Sequence, residues 1–207
     1  MRGLAVNEIA PGIHHWTGIH PKIKVEVSSY HLADSGTLLD PLLPEGDLET
    51  IRGLDVQRIV LTNRHHLRSS EPIAAETGCP ILCHEAGLHE FSESGLDVQG
   101  FSWGDELAPG VRALEVDAIC DEETAILIDA GGGFLAVADG VIRYGGRLGF
   151  VPDQYIGEDP PAIHSAIREA YGRLLDLPFD SLLPAHGDPM IGGAREALGR
   201  FVEHGPE

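Results

Sequence analysis

Four short apolar runs in this sequence end abruptly on side chains that can bind a ligand. The runs cover residues 37–39, 59–62, 135–138 and 182–185, and they lead into Asp40, the 63–66 segment, Asp139 and His186. A short apolar run bounded by turn-forming residues is typical of a buried strand. In sheets that carry helices on their faces, ligands gather at the carboxyl ends of the strands. A single polar residue in such a place often only caps a turn, but four together predict a binding edge.

The remaining pattern predicts an α/β chain. Strands are expected at 13–17, 23–32 and 36–39, then at 56–61, 80–83, 111–116, 124–128, 134–138 and 179–184. Helices are expected at 47–52, 71–77, 84–91, 162–175 and about 194–202. Because no internal repeat, low-complexity tract or long linker divides the sequence, we expect residues 1–207 to form a single domain.

Composition limits the partners. The 207 residues are 43% hydrophobic, enough for a sizeable core, and 33 acidic against 14 basic side chains give a net charge of −19. A field of that sign repels nucleic acid and anionic membranes, so neither is an expected partner. The sequence lacks the ~20-residue apolar run of a membrane helix and a signal-peptide pattern, so we expect a cytoplasmic protein. Cys79, Cys83 and Cys120 suggest free thiols rather than a disulfide framework.

Three stretches together resemble a known family. The sequences at 28–32 (SSYHL), 36–41 (GTLLDP) and 183–187 (LPAHG) are similar to those of the metallo-β-lactamase superfamily. The resemblance spans nearly the whole chain and implies a four-layer αββα fold. Members of that superfamily carry His-x-His-x-Asp-His after the strand matching 56–61, then a histidine in a Pro-Gly-His turn, a bridging aspartate and a final histidine.

Carried over position by position, the metal motif of the family is incomplete. Three of its seven positions are kept, and they fall on His65, Asp139 and His186. The other four are occupied by residues that differ from the family ligands, namely Asn63, Leu67, Arg68 and Ile119. A site for two metal ions needs more ligands than remain.

One interpretation is a hydrolase that keeps a single divalent metal ion. His65, Asp139 and His186 are then the ligands, with His66 as an additional group, and their chemistry suits zinc, iron or manganese. A metal-bound water is the nucleophile, Asp139 and His66 take part in catalysis, and Asp40 fixes the tautomer of a ligand histidine. The substrate is a small molecule whose class stays open.

The alternative is a metal-free, non-catalytic protein of the same fold. Arg64 or Arg68 then occupies the vacant cation position and pairs with Asp139, so that a fixed guanidinium replaces the metal charge. Together with Asn63, these arginines bind a small anion or a protein through the 63–68 loop, despite the acidic exterior. No cofactor is required in this case, and nothing in the sequence indicates an oligomeric state.

Overall fold

The computed structural model describes residues 6–43 and 47–206, and it divides the chain into two compact units, Met1–Ser102 and Trp103–Glu207. Each unit has its own sheet and its own buried apolar cluster. That residues 1–207 form a single domain stays a prediction. Within the described ranges, no helix combines the length and the apolar character needed to cross a bilayer.

The first unit is built on a seven-stranded sheet whose spatial order follows the chain order. Its strands are β1 (Asn7–Ala10), β2 (Ile13–Ile19), β3 (Glu26–Leu32), β4 (Thr37–Leu39), β5 (Arg58–Val60), β6 (Ile81–His84) and β7 (Val98–Phe101). Strands β1 to β4 pair antiparallel, and β4 to β7 pair parallel. The parallel half explains the continuous apolar run 59–61, because a central parallel strand is buried on both faces.

Among the described residues of this unit, one α-helix and three short 3₁₀ turns connect the strands. Helix α1 (Ser70–Thr77) ends at Gly78, whose left-handed conformation allows its N–H to bond the Ala74 carbonyl. The core of this unit includes Trp16, Leu38 and Ile59. The indole N–H of Trp16 donates to the Leu42 carbonyl at 2.9 Å, so this buried polar atom is satisfied.

The second unit is built on a five-stranded sheet with the order β14-β11-β10-β9-β8. Its strands are β8 (Glu106–Ala108), β9 (Val111–Glu115), β10 (Thr124–Ile128), β11 (Phe134–Val137) and β14 (Ser181–Pro184). A separate hairpin pairs β12 (Ile142–Tyr144) with β13 (Arg147–Gly149). All sheet pairs are antiparallel except β11 with β14, which run parallel.

Two amphipathic helices contribute to the core of this second unit. Helix α2 (Pro160–Leu174) begins after Asp159, whose carboxylate accepts from the Ala162 N–H, and its prolines occupy the first turn. It buries residues three and four positions apart, including Ile167 and Tyr171. Helix α3 (Ala194–His204) buries Leu198 and Phe201 in the same cluster.

The sequence-based expectations hold for the long elements and for the short strands β4, β5 and β6, but they fail for other short elements. The expected helices at 47–52 and 84–91 are 3₁₀ turns, Leu48–Thr50 and Glu85–Phe91. The first is too short to nucleate an α-helix, and Gly87 lowers the α-helix propensity of the second. Strands β1, β7, β8, β12 and β13 were not expected, because three or four residues carry too little periodicity.

Candidate functional site

Asp139 and His186 lie side by side in the second unit. Strands β11 and β14 are parallel neighbours that align Val137 with Pro184, and each of the two residues follows two positions later. The Asp139 Oδ1 and His186 Nε2 atoms are 3.0 Å apart, and the side chains are 21% and 12% exposed. The strand ends therefore bring together a carboxylate and an imidazole that solvent still reaches, as the apolar runs predict.

Each of these two residues is followed by a glycine, and neighbouring atoms leave no room for a side chain at either position. A Cβ on Gly187 would lie 1.7 Å from the Arg143 carbonyl oxygen, and the Arg143 N–H donates to the His186 carbonyl at 3.0 Å. A Cβ on Gly140 would lie 2.8 Å from Glu123 Oε1. Both distances are far below an ordinary contact, so the backbone after each candidate ligand is fixed by close neighbours.

Glu123 is a site residue that the sequence analysis missed. It is fully buried, and its Oε1 accepts from the Gly140 N–H at 2.6 Å while its Oε2 accepts from the Ile119 N–H at 3.0 Å. One carboxylate thus ties the turn after Asp139 to the 117–123 loop. The only signal in the sequence is a run of three acidic residues, 121–123, directly before strand β10.

Tyr171 packs beside this carboxylate. Its hydroxyl is buried and has no hydrogen-bond partner among the described residues. Burial, with the nearby carboxylates of Glu123 and Asp139, raises the pKa of the Tyr171 phenol well above its ordinary value. Tyr171 therefore stays neutral next to the Asp139 turn.

In the first unit, the 63–68 loop turns one of its two histidines inward. Asn63 is buried and caps the Arg64–Leu67 3₁₀ turn, because its side-chain oxygen accepts from the His65 N–H at 2.9 Å. His65, the predicted ligand, is exposed, whereas His66 is buried. The His66 Nδ1 atom lies 2.9 Å from Asp40 Oδ2 and 3.2 Å from Thr62 Oγ1.

Asp40 is the fixed carboxylate of this unit. Its Oδ1 accepts from the Thr62 N–H at 2.8 Å, and its Oδ2 accepts from the Thr62 hydroxyl at 2.5 Å. Burial alone would raise the pKa of Asp40, but His66, Arg68 and the Thr62 hydroxyl together hold it below its ordinary value. An ionised Asp40 orients the His66 ring through Nδ1.

Arg68, one of the two predicted substrate-binding arginines, contacts the backbone of the sheet. The Arg68 Nη1 donates to the carbonyls of Ser28 and Asp40, at 2.7 Å each, and so fastens the loop to β3 and to the residue after β4. Arg64 and Arg68 both line a groove within the first unit. Arg68 therefore has a structural task as well as a position on that groove.

Comparison with solved structures identifies the fold. A metallo-β-lactamase family protein of Thermus thermophilus is 18% identical with a TM-score of 0.65, covering 95% of this chain and 80% of that one. A β-lactamase domain protein of Burkholderia ambifaria is 19% identical with a TM-score of 0.67, covering 97% and 77%. A variant of the flavo-diiron protein of Thermotoga maritima is 16% identical with a TM-score of 0.66, covering 98% and 62%.

The chain has the metallo-β-lactamase fold. No protein-family model matches it, and neither does any curated protein. The metallo-β-lactamase-like α/β fold class that the sequence motifs imply is thereby confirmed. The name of the Thermotoga maritima protein records two iron ions.

Proposed function

We propose that this chain is a metal-dependent hydrolase that binds one divalent metal ion and acts on a small molecule. In this proposal Asp139 and His186 are ligands, and one histidine of the 63–68 loop is the third. The observation that carries it is the Asp139–His186 pair, with 3.0 Å between Oδ1 and Nε2 at the ends of two parallel strands. Hydrolysis is the usual chemistry of an open site with three protein ligands.

The donor set fits a single ion of zinc, iron or manganese. Carboxylate oxygen and imidazole nitrogen suit all three metals, and three protein ligands leave a coordination position open. When bound, such an ion lowers the pKa of its water and polarises a substrate oxygen. At the motif positions that would supply ligands to a second ion, the sequence has Asn63, Leu67, Arg68 and Ile119, which favours one metal over two.

Two histidines compete for the role of third ligand. The sequence motif points to His65, which is exposed. The burial of His66 and its 2.9 Å contact with Asp40 favour His66 instead. Metal-binding histidines usually donate the second ring N–H to a carboxylate, which fixes the tautomer and orients the ring. In this proposal Asp40 is a positioning residue, and His66 Nε2 is the ligand atom.

Elemental analysis after dialysis against a weak chelator tests metal binding. We expect close to one zinc, iron or manganese per chain in the parent, and loss of that metal in His186→Ala and Asp139→Ala. His204→Ala is the matched control, because His204 is an exposed histidine at the end of α3. Equal metal content in the parent and in both site variants would overturn the proposal.

The same measurement separates the two histidines. If His66 is the ligand, His66→Ala loses the metal and His65→Ala keeps it, and the reverse result restores the sequence-based assignment.

Activity is then screened on esters, thioesters, lactones and lactams. We expect turnover by the metal-loaded parent to disappear on chelation and to return when the metal is added back.

A further inference from the structure

A groove of about 1090 Å³ lies entirely within the first unit. It is lined by the loop between β2 and β3, by most of the 64–69 segment, and by Phe91 and neighbouring residues. We call it the hairpin groove. Its volume matches that of a small-molecule site.

The charge of the hairpin groove is opposite to that of the chain. Lys22, Arg64 and Arg68 line it, against Glu26 and Glu90. Lys22 is one of two lysines in the entire sequence. In a chain with a net charge of −19, this concentration of basic groups creates a local field that attracts an anion.

Two exposed apolar side chains also line this groove. Ile19 is 61% exposed and Ile23 is 44% exposed, and both line it. The buried ring of Phe91 and the partly buried Leu67 contribute further apolar lining. Exposed apolar surface next to fixed charges marks a ligand-binding groove.

The β2–β3 loop is held in shape by its own hydrogen bonds. The His20 N–H donates to the Val25 carbonyl at 2.8 Å, and the Lys24 N–H donates to the His20 carbonyl at 2.9 Å. The N–H of Lys22 donates to His20 Nδ1 at 3.3 Å. The backbone that carries Lys22 and Ile23 is therefore ordered before any ligand arrives, which lowers the entropic cost of binding.

We propose that the hairpin groove binds an amphipathic small molecule with a single carboxylate. Lys22 and Arg64 bind the carboxylate, while the apolar part of the molecule covers Ile19, Ile23 and Phe91. Three basic against two acidic lining groups favour a monoanion over a dianion. The proposal names a ligand class for the first unit and does not depend on metal binding by Asp139 and His186.

Calorimetric titration with three eight-carbon probes tests the proposal, with EDTA present so that metal plays no part. Octanoate is expected to bind, octanol to bind more weakly, and octyltrimethylammonium not to bind. The net charge of the chain favours the cation, so preference for octanoate reports the local field of the groove. Equal binding of octanoate and octyltrimethylammonium, or no binding of octanoate, would overturn the proposal.

Substitutions locate the site. Lys22→Gln and Arg64→Gln are each expected to weaken octanoate binding about 10-fold, the effect of losing one charge-assisted contact. Lys24→Gln makes the same charge change in the same loop but outside the groove, and it should leave the affinity unchanged. Ile23→Ser should weaken octanoate and octanol equally. A Lys24→Gln effect as large as that of Lys22→Gln would contradict the assignment.

Discussion

At the scale of single residues, Glu123 supports the candidate site without being able to reach a substrate. Its two oxygens accept from the N–H groups of Gly140 and Ile119. In Glu123→Gln one of those oxygens becomes an NH₂ group that faces a donor, so we expect a loss of about 2 kcal/mol in the free energy of unfolding. Urea denaturation measures it.

The control for this prediction is Glu115→Gln. Glu115 is half exposed, and its carboxylate lies 3.7 Å from the Arg173 guanidinium. An exposed pair of this kind contributes little, so the change should stay within about 0.5 kcal/mol. If the two variants lose the same stability, the Glu123 carboxylate does not have the role assigned to it.

His31 makes the first unit sensitive to acid. The Asp55 carbonyl can only accept, so His31 Nε2 carries the proton of that 3.2 Å contact. In the neutral ring Nδ1 is then an acceptor, and it takes the hydrogen bond from His14 Nδ1 at 3.4 Å. Burial lowers the pKa of His31, opposed by the bond to Asp55 and assisted by His14.

The sign of the pH effect follows from this lowered pKa. Below about pH 6.5 the unfolded histidine takes up a proton that the folded one resists. The stability contributed by neutral His31 is complete above that pH and is lost as the pH falls through the folded pKa. We expect the stability difference between the parent and His31→Gln to shrink from pH 8 to pH 5. A His31→Gln difference that stays constant over this pH range would refute the prediction.

At the scale of elements, one side chain joins the two helices of the second unit. The Arg168 guanidinium on α2 donates from Nε to the Val202 carbonyl at 2.5 Å and from Nη2 to the Glu203 carbonyl at 2.6 Å. Carbonyls in the last turn of a helix lack partners within the helix. Arg168→Gln should cost about 2 kcal/mol by thermal or urea unfolding. Arg173→Gln, on the same helix, should cost less than about 0.5 kcal/mol. Equal losses of unfolding free energy in the two variants would argue against a stabilising role of the Arg168 hydrogen bonds to α3.

The elements also show what the sequence can predict. Short apolar runs with turn residues at their ends predicted β10, β11 and β14, and with them the edge that carries Asp139 and His186. The role of Glu123 was not predicted, because it accepts from two backbone N–H groups and backbone groups leave no pattern in the sequence. The sequence did not predict that His66 rather than His65 is buried. That difference depends on the contact of His66 with Asp40, which is distant in the sequence.

At the scale of the whole molecule, charge opposes compactness. A net charge of −19 creates self-repulsion that salt screens over about 8 Å at physiological ionic strength. We therefore expect the melting temperature to rise between 10 and 300 mM sodium chloride. The rise should be about 2–4 °C for each ~1 kcal/mol by which salt reduces the repulsion free energy of the folded chain. The double variant Glu76→Gln and Glu93→Gln, at two exposed positions, should gain less from salt. A melting temperature independent of salt would exclude this effect.

The sheet orders have a consequence for synthesis. The strands of the first unit pair in the order in which they are made, so each new strand finds its neighbour already present. In the second unit β14 pairs with β11, which precedes it by more than forty residues, and β14 leads directly to His186. A nascent chain that stops before β14 contains every strand of the first sheet, but it lacks His186, the residue that Asp139 contacts.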